Sequence, residues 1–307
     1  MPTYTYGSST LNCNPDFPPL PLRLASRSDR VTIRLSWAPQ SASDQALAGS
    51  TTAGSDRAVL YSSGKWLIRF PEQCDFLIEE NGASVTLSPS PGVENSDLTH
   101  LLLDHVIPRL LDLRGYLVLH AGAVLANGHV IAFVGESGAG KSTLSTYFHL
   151  RGGRLLSDDG LIIEAENNTS LALPTYETLR LWPDSYRKLF DASSAYSVRD
   201  AGGGKINPVF NDAATSVCCP RPLAAIFLLS REGGAALSIR PVDPADACMA
   251  IVANSFQLDS SDLERASQRL KQAADISRHT PVFKLDYPMD YALLDEVHDA
   301  VMETIQS

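Results

Sequence analysis

The hydrophobic positions of this chain follow two different rhythms, and the change between them divides it. Arg30-Val31-Thr32-Ile33-Arg34-Leu35-Ser36-Trp37 alternates polar and apolar, as a strand with one buried face does. Strands are predicted at 58–62 and 65–70 around Ser63-Gly64, and at 74–79 and 83–88 around Asn81-Gly82, a pair that favours a type I′ turn. Ahead of them, residues 1–28 are rich in Pro, Ser and Asn, with Pro15, Pro18, Pro19 and Pro21, and read as an extended or loop-rich arm. The Ser/Ala/Gly/Asp-rich stretch 39–56 reads as a mobile loop. Residues 1–95 thus form a small β-rich N-terminal domain. It holds no catalytic cluster and suits partner recognition or assembly.

Beyond residue 96 the spacing turns helical. Leu101, Leu102, Val106, Leu110, Leu111 and Leu113 share a helix whose start Ser96 or Asp97 can cap, which Pro108 kinks and Gly115 ends. Tyr116–Leu125 and Val130–Val134 flank Asn127-Gly128 and predict a hairpin. Helical runs follow at 143–150, from Pro183, at 243–256, 260–278 and 290–305. Strands are expected at 154–157, 161–164, 223–229 and 282–285, and no internal repeat is present. Residues 96–307 are therefore an α/β domain with a mixed sheet.

The chemistry concentrates where the hairpin's second strand ends. Gly135-Glu136-Ser137-Gly138-Ala139-Gly140-Lys141-Ser142 reads G-x-x-x-x-G-K-S, the Walker A phosphate-binding loop. Its glycines let successive N–H groups turn inward onto a β-phosphate, Lys141 reaches the β- and γ-phosphates, and Ser142 offers a hydroxyl to Mg²⁺. With Thr143 these residues make the nucleotide site, and the following helix adds the positive end of its dipole. Arg154-Leu155-Leu156-Ser157 runs into Asp158 and Asp159, an apolar strand ending in two acids, able to hold Mg²⁺ or accept a proton. Lys205, beside Gly202-Gly203-Gly204, sits in a loop able to close over a nucleotide. His105, His129, His149, His279 and His298 read as structural, and Trp182 as packing.

Composition removes other classes. Hydrophobic residues make up 44% and charged residues 20% of 307, enough for a sizeable core. Net charge is 25 − 35 = −10, so no global field draws nucleic acid or an anionic membrane. No apolar run nears the roughly 18 residues of a membrane span, and the N-terminus carries no signal-like core. Five cysteines, Cys13, Cys74, Cys218, Cys219 and Cys248, lack metal-ligand spacing and read as free thiols of a cytoplasmic protein. The guanine-reading [NT]-K-x-D, the transporter-type L-S-G-G-Q and the protein-kinase H-R-D and D-F-G motifs are missing.

Leu119-His120-Ala121-Gly122-Ala123-Val124, the G-E-S-G-A-G-K-S loop, Arg151-Gly152-Gly153-Arg154-Leu155-Leu156 and Ser157-Asp158-Asp159 together resemble the bacterial HPr kinase/phosphorylase family. That family's catalytic domain is related to the ATP-dependent phosphoenolpyruvate carboxykinases. In it a His lies 21 residues before the loop Lys and the second Asp of a pair lies 18 after it; His120, Lys141 and Asp159 keep both separations. The resemblance covers about residues 117–165, with a weaker pattern from 220 to 300. It implies an ATP- and Mg²⁺-dependent kinase acting on a serine hydroxyl. Asp159 would accept the hydroxyl proton, Lys141 polarise the γ-phosphate and His120 sit beside the reacting group. Ser142 and Asp158 would hold the metal, and Arg180 would meet phosphate. The family's Leu-Glu-x-Arg-Gly-x-Gly segment corresponds to Tyr176-Glu177-Thr178-Leu179-Arg180-Leu181-Trp182, where Thr178 replaces the Glu and the glycines are missing. Phosphorylase activity and HPr as acceptor stay open at that departure. The chain looks like the divergent relatives that phosphorylate a serine of lasso-peptide precursors. The expected partner is a protein or peptide presenting a serine, with no nucleic acid and no membrane; assembly into a homo-oligomer stays open. A small-molecule kinase and a non-catalytic nucleotide-binding regulator are the alternatives.

Overall fold

The computed structural model describes residues 2–14, 17, 20, 22–24, 31–38, 58–176, 178–190, 197–201, 204–209, 217, 219–230 and 235–306. The stretch 39–56, the four prolines of 15–21, Glu177, Gly202, Gly203 and Cys218 lie outside the described residues. Compactness divides the chain into Met1–Arg114 with Gln257–Asp259, and Gly115–Phe256 with Ser260–Ser307. The boundary expected at 95/96 thus moves to Arg114/Gly115. The helical residues buried at Leu101, Leu102, Leu103, Val106, Leu110 and Leu111 belong with the β-rich unit. There the Tyr6 hydroxyl donates to the Leu103 carbonyl at 3.2 Å, and the rings of Phe70 and His105 meet at 5.7 Å.

The first unit is built on an eight-stranded sheet. Three of its strands, Thr3–Tyr6, Ser9–Cys13 and Arg23–Leu24, occupy the stretch expected to be an arm. The polar composition there hides Tyr4, Tyr6, Leu11 and Cys13, all buried. Thr3–Tyr6 and Ser9–Cys13 form a local antiparallel hairpin, and Ser9–Cys13 then runs parallel to Val31–Trp37, which runs parallel to Ser84–Pro89. The hairpin Ala58–Ser62/Lys65–Phe70 turns through Ser63 and Gly64, both left-handed at φ 53° and 74°. Around Asn81-Gly82 only Gly82 is left-handed (φ 64°), so the expected type I′ turn does not form. The helix begins at Asn95, after Glu94, and no side chain caps it, neither Ser96 nor Asp97. Leu101–Val106 widens into a π-helix just before Ile107–Leu113, whose first turn holds Pro108. A proline ring there crowds the carbonyl four residues back, and the wide turn relieves it.

The second unit is a nine-stranded mixed sheet covered by helices on both faces. The order runs Arg154–Ser157, Ala121–Ala126, His129–Val134, then the long strand Arg221–Leu229. His129–Val134 and Val282–Asp286 both lie parallel to that long strand. Thr169–Leu173, Leu161–Glu166 and Leu117–Leu119 continue from its start, and Ser238–Pro241 flanks Val282–Asp286. Val130, Ala132 and Val134 enter the core shared with Pro244–Ala253 and Leu263–His279. Ile131 and Phe133 enter the one shared with Lys141–Leu150 and Leu294–Gln306. Burial on both faces is why this strand reads as a continuous apolar run. Asn127 and Gly128, left-handed at φ 48° and 85°, close the tight hairpin that pairs Ala126 with His129. The strands Thr169–Leu173, Ser197–Asp200, Ile206–Val209 and Ser238–Pro241 were not expected from the pattern. Cys13, Cys74, Cys219 and Cys248 are free thiols. Among the described residues no helix is long and apolar enough to cross a membrane.

Candidate functional site

The strand His129–Val134 ends at a loop, and the helix Lys141–Leu150 begins directly after it. Gly135 opens the loop where a Cβ would lie 2.8 Å from the carbonyl oxygen of Leu229, so only glycine lets the chain leave the sheet here. Gly138 and Gly140 are left-handed, at φ 86° and 95°. Glu136, Ser137 and Gly138 are exposed at the tip, while Lys141 is buried. Its ammonium donates to the carbonyls of Gly135 (2.8 Å) and Glu136 (3.1 Å). Burial pushes its pKa below the ordinary lysine value and Lys205 adds to that, whereas Asp159 and Asp158 work against it. A cation held this way has every reason to exchange two neutral carbonyls for a phosphate.

The strand Arg154–Ser157 carries the two acids to the same place and gives them different surroundings. Asp158 is buried at 1% exposure. It accepts the Ser142 hydroxyl at 3.1 Å on one oxygen and the Arg180 backbone N–H at 3.0 Å on the other. Asp159 takes a left-handed backbone, φ 61°, which turns its side chain another way. Its carboxylate comes 3.3 Å from His120 Nε2 and is 14% exposed. Burial raises its pKa, but His120, Lys205 and Lys141 outweigh that and hold the carboxyl well below the usual range. The turn itself is pinned. Ser157 Oγ donates to the Gly160 carbonyl at 2.7 Å, and Thr175 Oγ1 lies 3.0 Å from Ser157 Oγ and 3.1 Å from the same carbonyl.

His120 lies between two strands that pair with different partners, Leu117–Leu119 with Leu161–Glu166 and Ala121–Ala126 with His129–Val134. Its backbone N–H donates to the Asn254 carbonyl at 2.8 Å, and its ring stacks on Phe256 at 5.5 Å. Strand break and stacking together aim the imidazole at Asp159.

Arg180 is buried, and its Nε donates to the Ala201 carbonyl at 2.9 Å. Leu181 exchanges both backbone hydrogen bonds with Ile206. The segment around Arg180 therefore ties Asp158 to the hairpin Ser197–Asp200/Ile206–Val209, and that hairpin brings Lys205 near the acids. Trp182 is 56% exposed, contrary to the packing role expected of it. It precedes the helix Pro183–Leu189 on the surface, and Lys205 Nζ lies 5.5 Å over its ring. Thr175, Phe256 and Asn254 support the site without having stood out in the sequence. Their roles are backbone and ring contacts that leave no motif.

Ser142, Asp158, Asp159, Lys141 and His120, scattered over 40 positions of chain from 120 to 159, thus converge at one end of the sheet. Among the described residues no group of three or more His, Cys, Asp and Glu makes a protein-only metal cage. Mg²⁺ does not need one, since it takes one or two hard oxygen ligands from protein and the rest from phosphate and water.

No protein-family model matches the chain, and a search of curated proteins finds no match. Among solved structures, the Hpr(Ser) kinase/phosphatase from Coxiella burnetii is similar at 14% identity with a TM-score of 0.29, over 61% of this chain and 98% of that one. At that TM-score the likeness is a distant structural one and carries no functional argument.

Proposed function

We propose that the chain is an ATP- and Mg²⁺-dependent kinase that transfers the γ-phosphoryl group to a hydroxyl, a serine of a protein or peptide. The observation that carries the reading is the division of labour between adjacent acids. Asp158 is bonded to the loop serine, while Asp159, 3.3 Å from His120, stays partly open to an incoming group. Ser142 Oγ and the Asp158 carboxylate are hard oxygen donors that suit Mg²⁺ beside a triphosphate, where it would neutralise charge on the phosphates. The loop amides and Lys141 would grip the phosphates. The acceptor hydroxyl would give its proton to Asp159, its oxygen would form the new P–O bond, and the bond to the nucleoside diphosphate would break. A carboxylate held this far down is a weak base, which suits a loose transition state in which the proton leaves late. His120 would orient Asp159, and Lys205 would add positive charge to the phosphate site. The small-molecule kinase stays as the second reading, because Asp159 and His120 act on any hydroxyl alike.

The test is label transfer from γ-labelled ATP to serine-containing peptides with Mg²⁺ and with a chelator. Incorporation that needs Mg²⁺ and the peptide's serine supports the reading. Label that never leaves ATP with any hydroxyl acceptor, peptide or metabolite, sinks it.

A further inference from the structure

Next to the loop, a shallow open pocket is lined by Tyr287, Met289, Tyr291 and Leu294, with Gly140, Thr143 and Asp290 completing it. The segment between Val282–Asp286 and Leu294–Gln306, with Leu294 itself, supplies the walls, and it presses on the loop. A Cβ on Gly140 would lie 3.2 Å from Tyr287 Oη and 3.7 Å from Met289 Cε. None of His120, Lys141, Asp158, Asp159 or Lys205 lines the pocket.

We infer that this pocket holds the base of the nucleotide, resting on the reading of the loop as a phosphate site. The lining decides what can enter. It has no cation and one carboxylate, so a phosphate would be repelled. Two tyrosine rings, a thioether and a leucine suit a flat, neutral, partly apolar group. Asp290 already accepts the Ala292 N–H at 3.0 Å, and a carboxylate can only accept, which fits a ribose hydroxyl or an exocyclic amine. A triphosphate seated on the loop amides has such a group at one end. The pocket adjoins the last loop residue and the first helical turn, where that end would leave. Tyr291 is held from behind, its hydroxyl donating to Ser185 Oγ at 3.0 Å, so its ring is set before a ligand arrives.

Binding of Mg·ATP and of Mg·tripolyphosphate, measured by calorimetry on the full chain, tests this. The parent protein should bind both, ATP more tightly. Tyr291→Ala and Met289→Ala should each weaken ATP by about tenfold, the scale of one lost stacking contact, and leave tripolyphosphate unchanged. Tyr291→Phe, which keeps the ring but loses the bond to Ser185, should lose clearly less ATP affinity than Tyr291→Ala. Met289 is 50% exposed, so its variant folds even if Tyr291→Ala does not. Equal affinity of the parent for ATP and tripolyphosphate, or equal weakening of both ligands in the variants, overturns the pocket and leaves the phosphate reading standing. A parent that binds neither ligand retires the phosphate reading and the pocket with it.

Discussion

Asp159→Asn isolates the proposed chemistry because of where its backbone lies. At φ 61° an alanine would be strained, whereas asparagine accepts the left-handed region readily. The substitution removes one negative charge and little volume from a side chain that is 14% exposed and 3.3 Å from His120 Nε2. A positioned proton acceptor contributes about 10²–10⁴ in rate, and one held well below the usual carboxylate range belongs at the lower end, about 10²–10³. That is about 3–4 kcal/mol of barrier at roughly 1.4 kcal/mol per tenfold. ATP affinity should hold or improve, because Lys141 loses an opposing charge that would otherwise compete with phosphate. The assay is single-turnover transfer from labelled ATP alongside calorimetric ATP binding, so chemistry and binding are read separately. Equal transfer rates in the two proteins would refute the base. A rate loss matched by an equal loss of ATP binding would refute it too, since the residue would then be serving the nucleotide site.

Ser142→Ala leaves Asp158 with the Arg180 N–H and removes one oxygen donor, so Mg²⁺ titrations of ATP binding should weaken by about 10–100-fold. Gly122→Ala places a Cβ 2.4 Å from Ser145 Oγ and should cost about 1–3 kcal/mol in denaturant melts. Ser145→Ala should be neutral or stabilising, because that buried hydroxyl has no hydrogen-bond partner among the described residues. The double variant should recover most of the Gly122→Ala loss, and simple additivity would show that the crowding lies elsewhere. Asp159 titrates in the folded protein below its ordinary value of 3.8. Its stabilising contribution is therefore complete above 3.8 and is lost as pH falls further, through the lowered folded value. The stability difference between parent and Asp159→Asn should not shrink between neutral pH and about 5 and should fall only in stronger acid. A difference that shrinks between pH 7 and 5 would contradict the depressed pKa.

What the sequence determined by itself was local. The G-x-x-x-x-G-K-S loop between an apolar strand and a helix, the hairpin before it and the acids ending Arg154–Ser157 are each written within a few residues, through turn chemistry, spacing and burial pattern. The separations of His120 and Asp159 from Lys141 are also visible in one dimension, though not the contact between His120 and Asp159. What gives the two acids different surroundings needed the chain to close. Asp158 and Asp159 are adjacent and alike in sequence. They part only because one backbone turns left-handed and because Ser142 and the Arg180 amide, 16 and 22 residues away, capture the first. The resemblance implies a phosphate role for Arg180; the fold adds that its backbone N–H and Nε tie Asp158 to the hairpin carrying Lys205. Thr3–Tyr6 and Ser9–Cys13 pair locally through Gly7-Ser8, with Gly7 left-handed at φ 57°, a hairpin that the Pro, Ser and Asn content of 1–28 masks; the parallel pairing of Ser9–Cys13 with Val31–Trp37 is what only the folded chain shows. Residues 95–113 keep their helical rhythm wherever they dock, so the pattern could show that they fold as a helix but not which unit buries it. Local propensity is a property of neighbours, whereas register, burial and charge balance are properties of surfaces that meet only in the folded molecule.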